Sequence, residues 1–189
     1  MKSYLVNEIF YSIQGEGFWT GTPAIFLRLA LCNLKCHFCD TDFSASRPMT
    51  AEEILAALKE ASPECQVVVL TGGEPALQAD TDLIDALHGA GYSIHIETNG
   101  TKPLPEGIDW ITLSPKSDWQ KGAEPVIGRA DELKLVYTGQ NPEKWLSFPA
   151  KHFFLQPCSQ KNTSGVLAYI LEHPGWRLSL QIHKYLDIR

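Results

Sequence analysis

Gln66-Val67-Val68-Val69-Leu70-Thr71-Gly72-Gly73-Glu74-Pro75 sets four consecutive apolar residues, 67–70, just ahead of a glycine pair at 72–73. Apolar side chains at every position, rather than every second one, predict a strand buried on both faces, as in a parallel sheet covered by helices. The turn that follows lies at the carboxyl end of that strand, where parallel α/β folds place their ligands. Two glycines admit close backbone approach, and Glu74 adds a carboxylate able to take an ammonium. Working outward, short β-branched and aromatic runs at 23–30, 92–97, 110–113, 132–137, 153–156 and 177–182 read as further strands.

Helices are fewer. Thr50 with Glu53 three residues later forms a capping-box signature, and Ile54, Leu55 and Leu58 continue one apolar stripe, which predicts a helix over about 51–61. Leu83, Ile84 and Leu87 mark a second, ended by Gly89 or Gly91, and residues 166–171 a third before Pro174. Pro, Gly, Ser and Trp without periodicity fill 114–130 and 138–150, which read as loops over one face.

The chain has 189 residues, 44% hydrophobic and 20% charged. That length predicts one domain over 1–189, with enough apolar side chain for a real core. A formal charge of −6 offers no global field for nucleic acid. No apolar run approaches the roughly 20 residues of a membrane span, and the first residues show no secretory leader, so the expectation is a cytoplasmic protein whose thiols stay reduced.

Cys32-Asn33-Leu34-Lys35-Cys36-His37-Phe38-Cys39 sets three of the five cysteines in one C-x3-C-x2-C loop after a strand. Three thiolates can hold three irons of a cubane cluster and leave the fourth iron open to a small molecule bearing an amine and a carboxylate. Zinc would need a fourth ligand, such as His37 or Asp40, and an electron-transfer cluster would recruit Cys65 or Cys158. Arg28, in an otherwise apolar strand, needs an anion: a substrate carboxylate, or an internal pair with Glu8 or Glu16.

The cysteine loop, the 71–75 turn and Glu97-Thr98-Asn99-Gly100 together resemble the radical S-adenosylmethionine superfamily. Further stretches are similar to its 7-carboxy-7-deazaguanine synthase family: residues 8–17, Cys39-Asp40-Thr41-Asp42-Phe43, Leu113-Ser114-Pro115-Lys116 and the closing residues 181–189. The likeness spans the chain from about residue 6. It implies an α/β fold of incomplete TIM-like barrel type with a reduced set of helices, since a complete barrel takes about 250 residues.

The same resemblance implies that Cys32, Cys36 and Cys39 ligate a 4Fe–4S cluster. His37, Phe38 and Cys39 would lie beside the adenine of S-adenosylmethionine, and Gly73 would receive its amino end. Ser114, Pro115, Lys116, Gln156, Pro157, Cys158 and Ser159 would form the other walls. Ile13, Gln14, Gly15, Arg28, Thr71 and Arg189, the last through its carboxylate, would bind 6-carboxy-5,6,7,8-tetrahydropterin, with Thr41 as the protein ligand of Mg²⁺. A pterin edge alternates donors and acceptors, which an amide such as Gln14 can read. The implied reaction is a radical-initiated ring contraction, beginning with hydrogen abstraction at C6 and losing ammonia, which makes the enzyme a lyase. It also implies a flavodoxin-type electron donor and a homodimer. His183 is the candidate acid–base group. The rival readings are a glycyl-radical activase and a non-enzymatic zinc or electron-transfer module.

Overall fold

The computed structural model describes residues 2–42 and 45–189. Phe43, the last residue of the Cys39–Phe43 stretch, lies outside them. Nine strands form one sheet: β1 (Tyr4–Ile13), β2 (Pro23–Leu29), β3 (Arg47–Met49), β4 (Val67–Gly72), β5 (Ser93–Thr98), β6 (Trp110–Leu113), β7 (Ala130–Tyr137), β8 (Ala150–Pro157) and β9 (Arg177–Leu178). Their spatial order is β3-β1-β2-β4-β5-β6-β7-β8-β9, so the sheet stays open between β3 and β9. Each neighbouring pair from β2 to β9 is parallel, as the 66–70 stretch predicts, and all their carboxyl ends point the same way.

The strand period of two sorts this sheet into two faces. Leu27, Leu29, Val68, Leu70, Ile94 and Ile96 pack under α1 (Ala51–Ala61) and α2 (Thr81–Gly89), against Ile54, Leu58, Leu83 and Leu87. Leu113, Leu133, Leu135 and Leu155 pack with Val166 of α3 (Thr163–Glu172) and with Trp145 and Trp176. The intervening residues face the concave side, where Arg28, Thr71, Glu97, Lys134 and Gln156 replace apolar side chains near the carboxyl ends.

The capping box forms as expected. Thr50 Oγ1 accepts from the Glu53 amide at 3.3 Å, and Glu53 Oε2 accepts from the Thr50 amide at 2.7 Å. Several features depart from the sequence reading, the short β3 among them. The 8–17 stretch lies largely on a ten-residue strand, β1, which pairs antiparallel with β2 and β3. The strand expected over 177–182 stops at Leu178, because the Ser179 hydroxyl turns to donate to Gln156 and accept from the Gly17 amide. Beyond it, a short helix α4 (Ile182–Leu186) crosses back toward β1, with the Ile182 amide on the Gly15 carbonyl at 2.9 Å. No helix among the described residues is long and apolar enough to cross a membrane.

Candidate active site

The cysteine loop leaves β2 and the glycine turn leaves β4, and the backbone binds them together. Leu29 O accepts from the Gly73 amide at 3.2 Å, and Leu31 O accepts from the Glu74 amide at 2.8 Å. A Cβ on residue 73 would stand 2.1 Å from Leu31 O and 2.8 Å from Cys32 Cβ, so only glycine lets the loops meet. Leu31 itself is held at a φ of 75°, a conformation that non-glycine residues rarely adopt. The close approach expected of the glycines is therefore made first to the cysteine loop. Glu74 is not open to an ammonium. Fully buried, its carboxylate accepts from the Thr98 hydroxyl and the Asn99 and Ala76 amides, fastening the 97–100 loop to the glycine turn.

Two further loops clasp the cysteines. Asn33 Nδ2 donates to Thr101 Oγ1 at 2.8 Å, and the Lys35 amide donates to Gln120 Oε1 at 3.1 Å. Phe38 packs edge-on against Trp119 at 4.9 Å between ring centroids. These docked loops enclose a cavity of about 450 Å³ at the carboxyl ends of the strands. Cys32, Cys36, Cys39 and Phe38 line it together with Gly73, Ser114, Lys116, Gln156, Pro157, Cys158 and Ser159. Of the residues expected there, His37 and Pro115 do not line it, and the His37 ring instead stands edge-on to Phe38.

The donor set fits a cluster better than a single ion. Among the described residues no three Cys, His, Asp or Glu side chains converge on one metal position, whereas a cubane takes one thiolate on each of several irons around a shared cavity. Cys65 lies half-buried before β4, its thiol near Pro23 O and Val67 O at the opposite end of the strands, and is no candidate for a fourth ligand. Burial pushes the Cys32 and Cys36 thiols up. Burial also pulls Lys116 down to about 8, opposed by Cys36, while its ammonium donates to Ser114 O at 2.7 Å.

A second cavity of the same volume, about 450 Å³, adjoins the first. Ile13, Gln14, Gly15, Arg28, Thr71 and Arg189 all line it, as does Thr41, so the structure gathers the whole expected substrate set. Its cover comes from the last residues. Ser12 Oγ donates to Arg189 O at 2.6 Å, Lys184 Nζ reaches Asp40 Oδ2 at 2.5 Å, and His183 lies so close over Gly15 that a Cβ there would meet Nδ1 at 2.2 Å. Burial pulls His183 below its ordinary value, against the opposing charge of Glu16. Arg28 makes the internal pair through one nitrogen: its Nε donates to Glu8 Oε1 at 2.8 Å, and Arg189 reaches the other Glu8 oxygen at 2.5 Å.

Glu16, Asp40, Thr41, Thr71, Glu97 and Gln181 line both cavities and form the wall between them. Lys134 stands behind this wall, paired with Glu16 and Glu97. Of these, the family resemblance marks only Thr41 and Thr71 as binding residues. Lys134 carried the same signal as Arg28, a charge inside an apolar strand, and that signal could have found it.

Fold and site together define a radical S-adenosylmethionine domain, and the Radical SAM superfamily model matches residues 29–146. The chain is 54% identical over 97% of its length, and 98% of the relative's, to a 7-carboxy-7-deazaguanine synthase from Bacteroides thetaiotaomicron. Another from Bradyrhizobium diazoefficiens is 45% identical over 99% of this chain and 100% of its own. The crystal structure of QueE from Escherichia coli superposes with a TM-score of 0.79 at 30% identity, covering 94% of this chain and 93% of that one. The chain belongs to the 7-carboxy-7-deazaguanine synthase family of radical S-adenosylmethionine enzymes.

Proposed function

We propose that the chain, as one radical S-adenosylmethionine domain, converts 6-carboxy-5,6,7,8-tetrahydropterin to 7-carboxy-7-deazaguanine with loss of ammonia. The supporting observation is the pair of adjoining cavities: three cysteines line one, a carboxylate- and amide-rich set lines the other, and they share a wall. When bound, the cluster and S-adenosylmethionine supply the electron and the radical that removes hydrogen from the substrate. Cys32, Cys36 and Cys39 hold the cluster in this reading, and Gly73 with the loops after β6 and β8 receives S-adenosylmethionine.

The protein's part is binding, orientation and exclusion of water. Glu8 aims the Arg28 guanidinium through Nε, leaving its terminal nitrogens to meet the substrate carboxylate. Gln14, Gly15, Thr71 and Arg189 bind the pterin. The substrate cavity is lined by five carboxylates, Glu8, Glu16, Asp40, Asp42 and Glu97, against Arg28, Lys184 and Arg189, with Lys134 paired to Glu16 and Glu97 from behind the wall. An anionic substrate entering that excess calls for a counter-cation, which supports Mg²⁺ at Thr41 with water and the substrate carboxylate as its other ligands. A flavodoxin-type electron donor, a homodimer and cytoplasmic residence complete the reading.

Anaerobic incubation of the reconstituted, reduced protein with S-adenosylmethionine, Mg²⁺ and the carboxytetrahydropterin should yield 7-carboxy-7-deazaguanine by mass spectrometry. Absence of that product overturns the activity. A rate indifferent to Mg²⁺ removal overturns the role of Thr41.

A further inference from the structure

The wall between the cavities is organised around one cation. Lys134, on β7, has a side chain only 5% exposed, with Nζ 2.6 Å from Glu16 Oε2 and 2.8 Å from Glu97 Oε2. The second oxygen of each carboxylate is occupied from the substrate side. Glu97 Oε1 accepts from Gln14 Nε2 at 3.1 Å, and Glu16 Oε1 accepts from Gln181 Nε2 at 2.8 Å. Both amides line the substrate cavity, whereas Lys134 lines only the cofactor cavity. Gln14 is further fixed by the Glu16 amide, which donates to its Oε1 at 3.1 Å.

Stability does not account for this arrangement. Desolvating one ammonium and two carboxylates costs several kcal/mol per ion, and apolar residues of similar volume often serve a core as well or better. The location supplies the reason. Each oxygen that Lys134 engages belongs to a residue facing both cavities, so one buried charge supports Gln14 and Gln181 at once; Gln181 has further anchors in Lys184, whose Nζ donates to its Oε1 at 2.8 Å, and in Asp40 Oδ2, which accepts from its Nε2 at 3.2 Å. Burial pushes Glu97 up and opposes the charge on Glu16, but at Glu16 the pairing with Lys134, joined by Gln181 and His183, outweighs burial and holds the carboxyl below its ordinary value. Burial also works against the ammonium, and the surrounding carboxylates more than offset it.

We propose that Lys134 is a positioning residue for the substrate, acting through Glu16 and Glu97 on Gln14 and Gln181 without touching the pterin. The substrate cavity is thereby preorganised from the cofactor side. Loss of the ammonium frees both carboxylates to turn away from the wall, and Gln14, the amide that reads the pterin, loses its fixed anchor on Glu97, while Gln181 is left to Lys184 and Asp40. Displacement of about 1 Å at a reacting centre can cost on the order of a hundredfold in rate. The cysteine loop takes its support from Gly73, Glu74, Asn33 and Gln120, and is left intact.

The inference rests on the proposed activity, and the test separates the two. The reconstituted Lys134→Met protein should keep native iron content and native affinity for S-adenosylmethionine. Calorimetric titration should show pterin binding weakened about tenfold, and turnover should release 5′-deoxyadenosine in about tenfold excess over deazaguanine. Lys134→Arg, which retains the charge, should recover part of both. Native pterin affinity with a native product ratio overturns the inference, as does equal loss of affinity for both ligands, which marks a general collapse. If Lys134→Met fails to fold, Glu97→Gln carries the test: its shape is kept, the same two signatures are expected, and native values overturn the inference. A native protein that binds no pterin overturns the activity and the inference together, whereas native turnover with unaltered variants overturns the inference alone.

Discussion

The cofactor cavity takes most of its lining from the carboxyl ends of β4, β5, β7 and β8 and the loops after β2, β4, β6 and β8. The substrate cavity closes between residues 8–16 and 181–189, and its Glu16–Gln181 contact joins positions 165 apart in the chain. The first is local chemistry on a repeated scaffold. The second exists only once β1 has paired with β2 and α4 has crossed back over Gly15. Contacts of such separation carry the larger loop-closure cost and form on completion of the fold. Damage to the cofactor side should therefore reach both cavities, while damage to the last residues, 187–189, should stay on the substrate side.

The most severe break in this comparison is chemical. Cys36→Ala removes one of three thiolates and should abolish the visible cluster absorbance and all turnover, with iron analysis as the check. Gly73→Val comes next, because its branched side chain must enter space already held by Leu31 O and Cys32. Steric conflict of this kind typically costs about 1–3 kcal/mol. Separation of the two loops should lower both the melting temperature and cluster loading, and a variant that loads a full cluster with native stability would contradict the account of this contact.

A milder change should separate the cavities cleanly. Removing residues 187–189 deletes the Ser12–Arg189 and Glu8–Arg189 contacts and leaves every loop around the cysteines untouched. KM for the pterin should rise about tenfold, in line with the loss of one or two charge-assisted hydrogen bonds. Iron content and affinity for S-adenosylmethionine should not change. Parallel loss of both ligands would show that the substrate side supports the cofactor side after all.

Legibility in the sequence follows the same division. The parallel sheet was readable because Val67 to Leu70 is apolar at every position, and α1 because its cap and stripe are local. The cysteine and glycine loops announce themselves by spacing alone. The sequence does not mark β1 as a strand: Glu8 and, beyond the strand, Gln14 and Glu16 line the substrate cavity, and polar Asn7, Glu8 and Ser12 interrupt the apolar pattern. The end of β9 was misplaced for a similar reason, since Ser179 leaves the sheet to bond residues more than twenty and more than 160 positions away. Glu97 lay within a recognised motif, yet its pairing with Lys134 required knowing that β5 and β7 flank β6. Arg28 shows the limit in miniature. Its need for an anion is evident, but only the β1–β2 register, which sets Glu8 opposite it, shows which internal carboxylate it pairs with through Nε.

The smallest expected effect on turnover lies deeper in the concave face, where Glu132 is 2% exposed and accepts from the Phe18 amide at 2.8 Å. Burial pushes its carboxyl up to about 7, partly opposed by Lys134. A carboxyl raised in this way stays protonated in the folded chain while the unfolded chain, near 4.5, has already released its proton. As pH rises from about 4.5 to about 7 the folded state therefore binds more protons, and stability falls with pH. The cost is at most about 3 kcal/mol, with each kcal/mol worth about 2–4 °C in a domain of this size. Glu132→Gln keeps an acceptor for Phe18 and removes the titration. Its melting temperature should exceed that of the native protein at pH about 8 and approach it at pH about 5, with kcat and KM unchanged. A pH-independent difference would mean that Glu132 is ionised throughout. A rise in KM would extend the Lys134 wall to a third carboxylate, because Glu132 shares its strand face and holds the loop that carries Gln14 and Glu16.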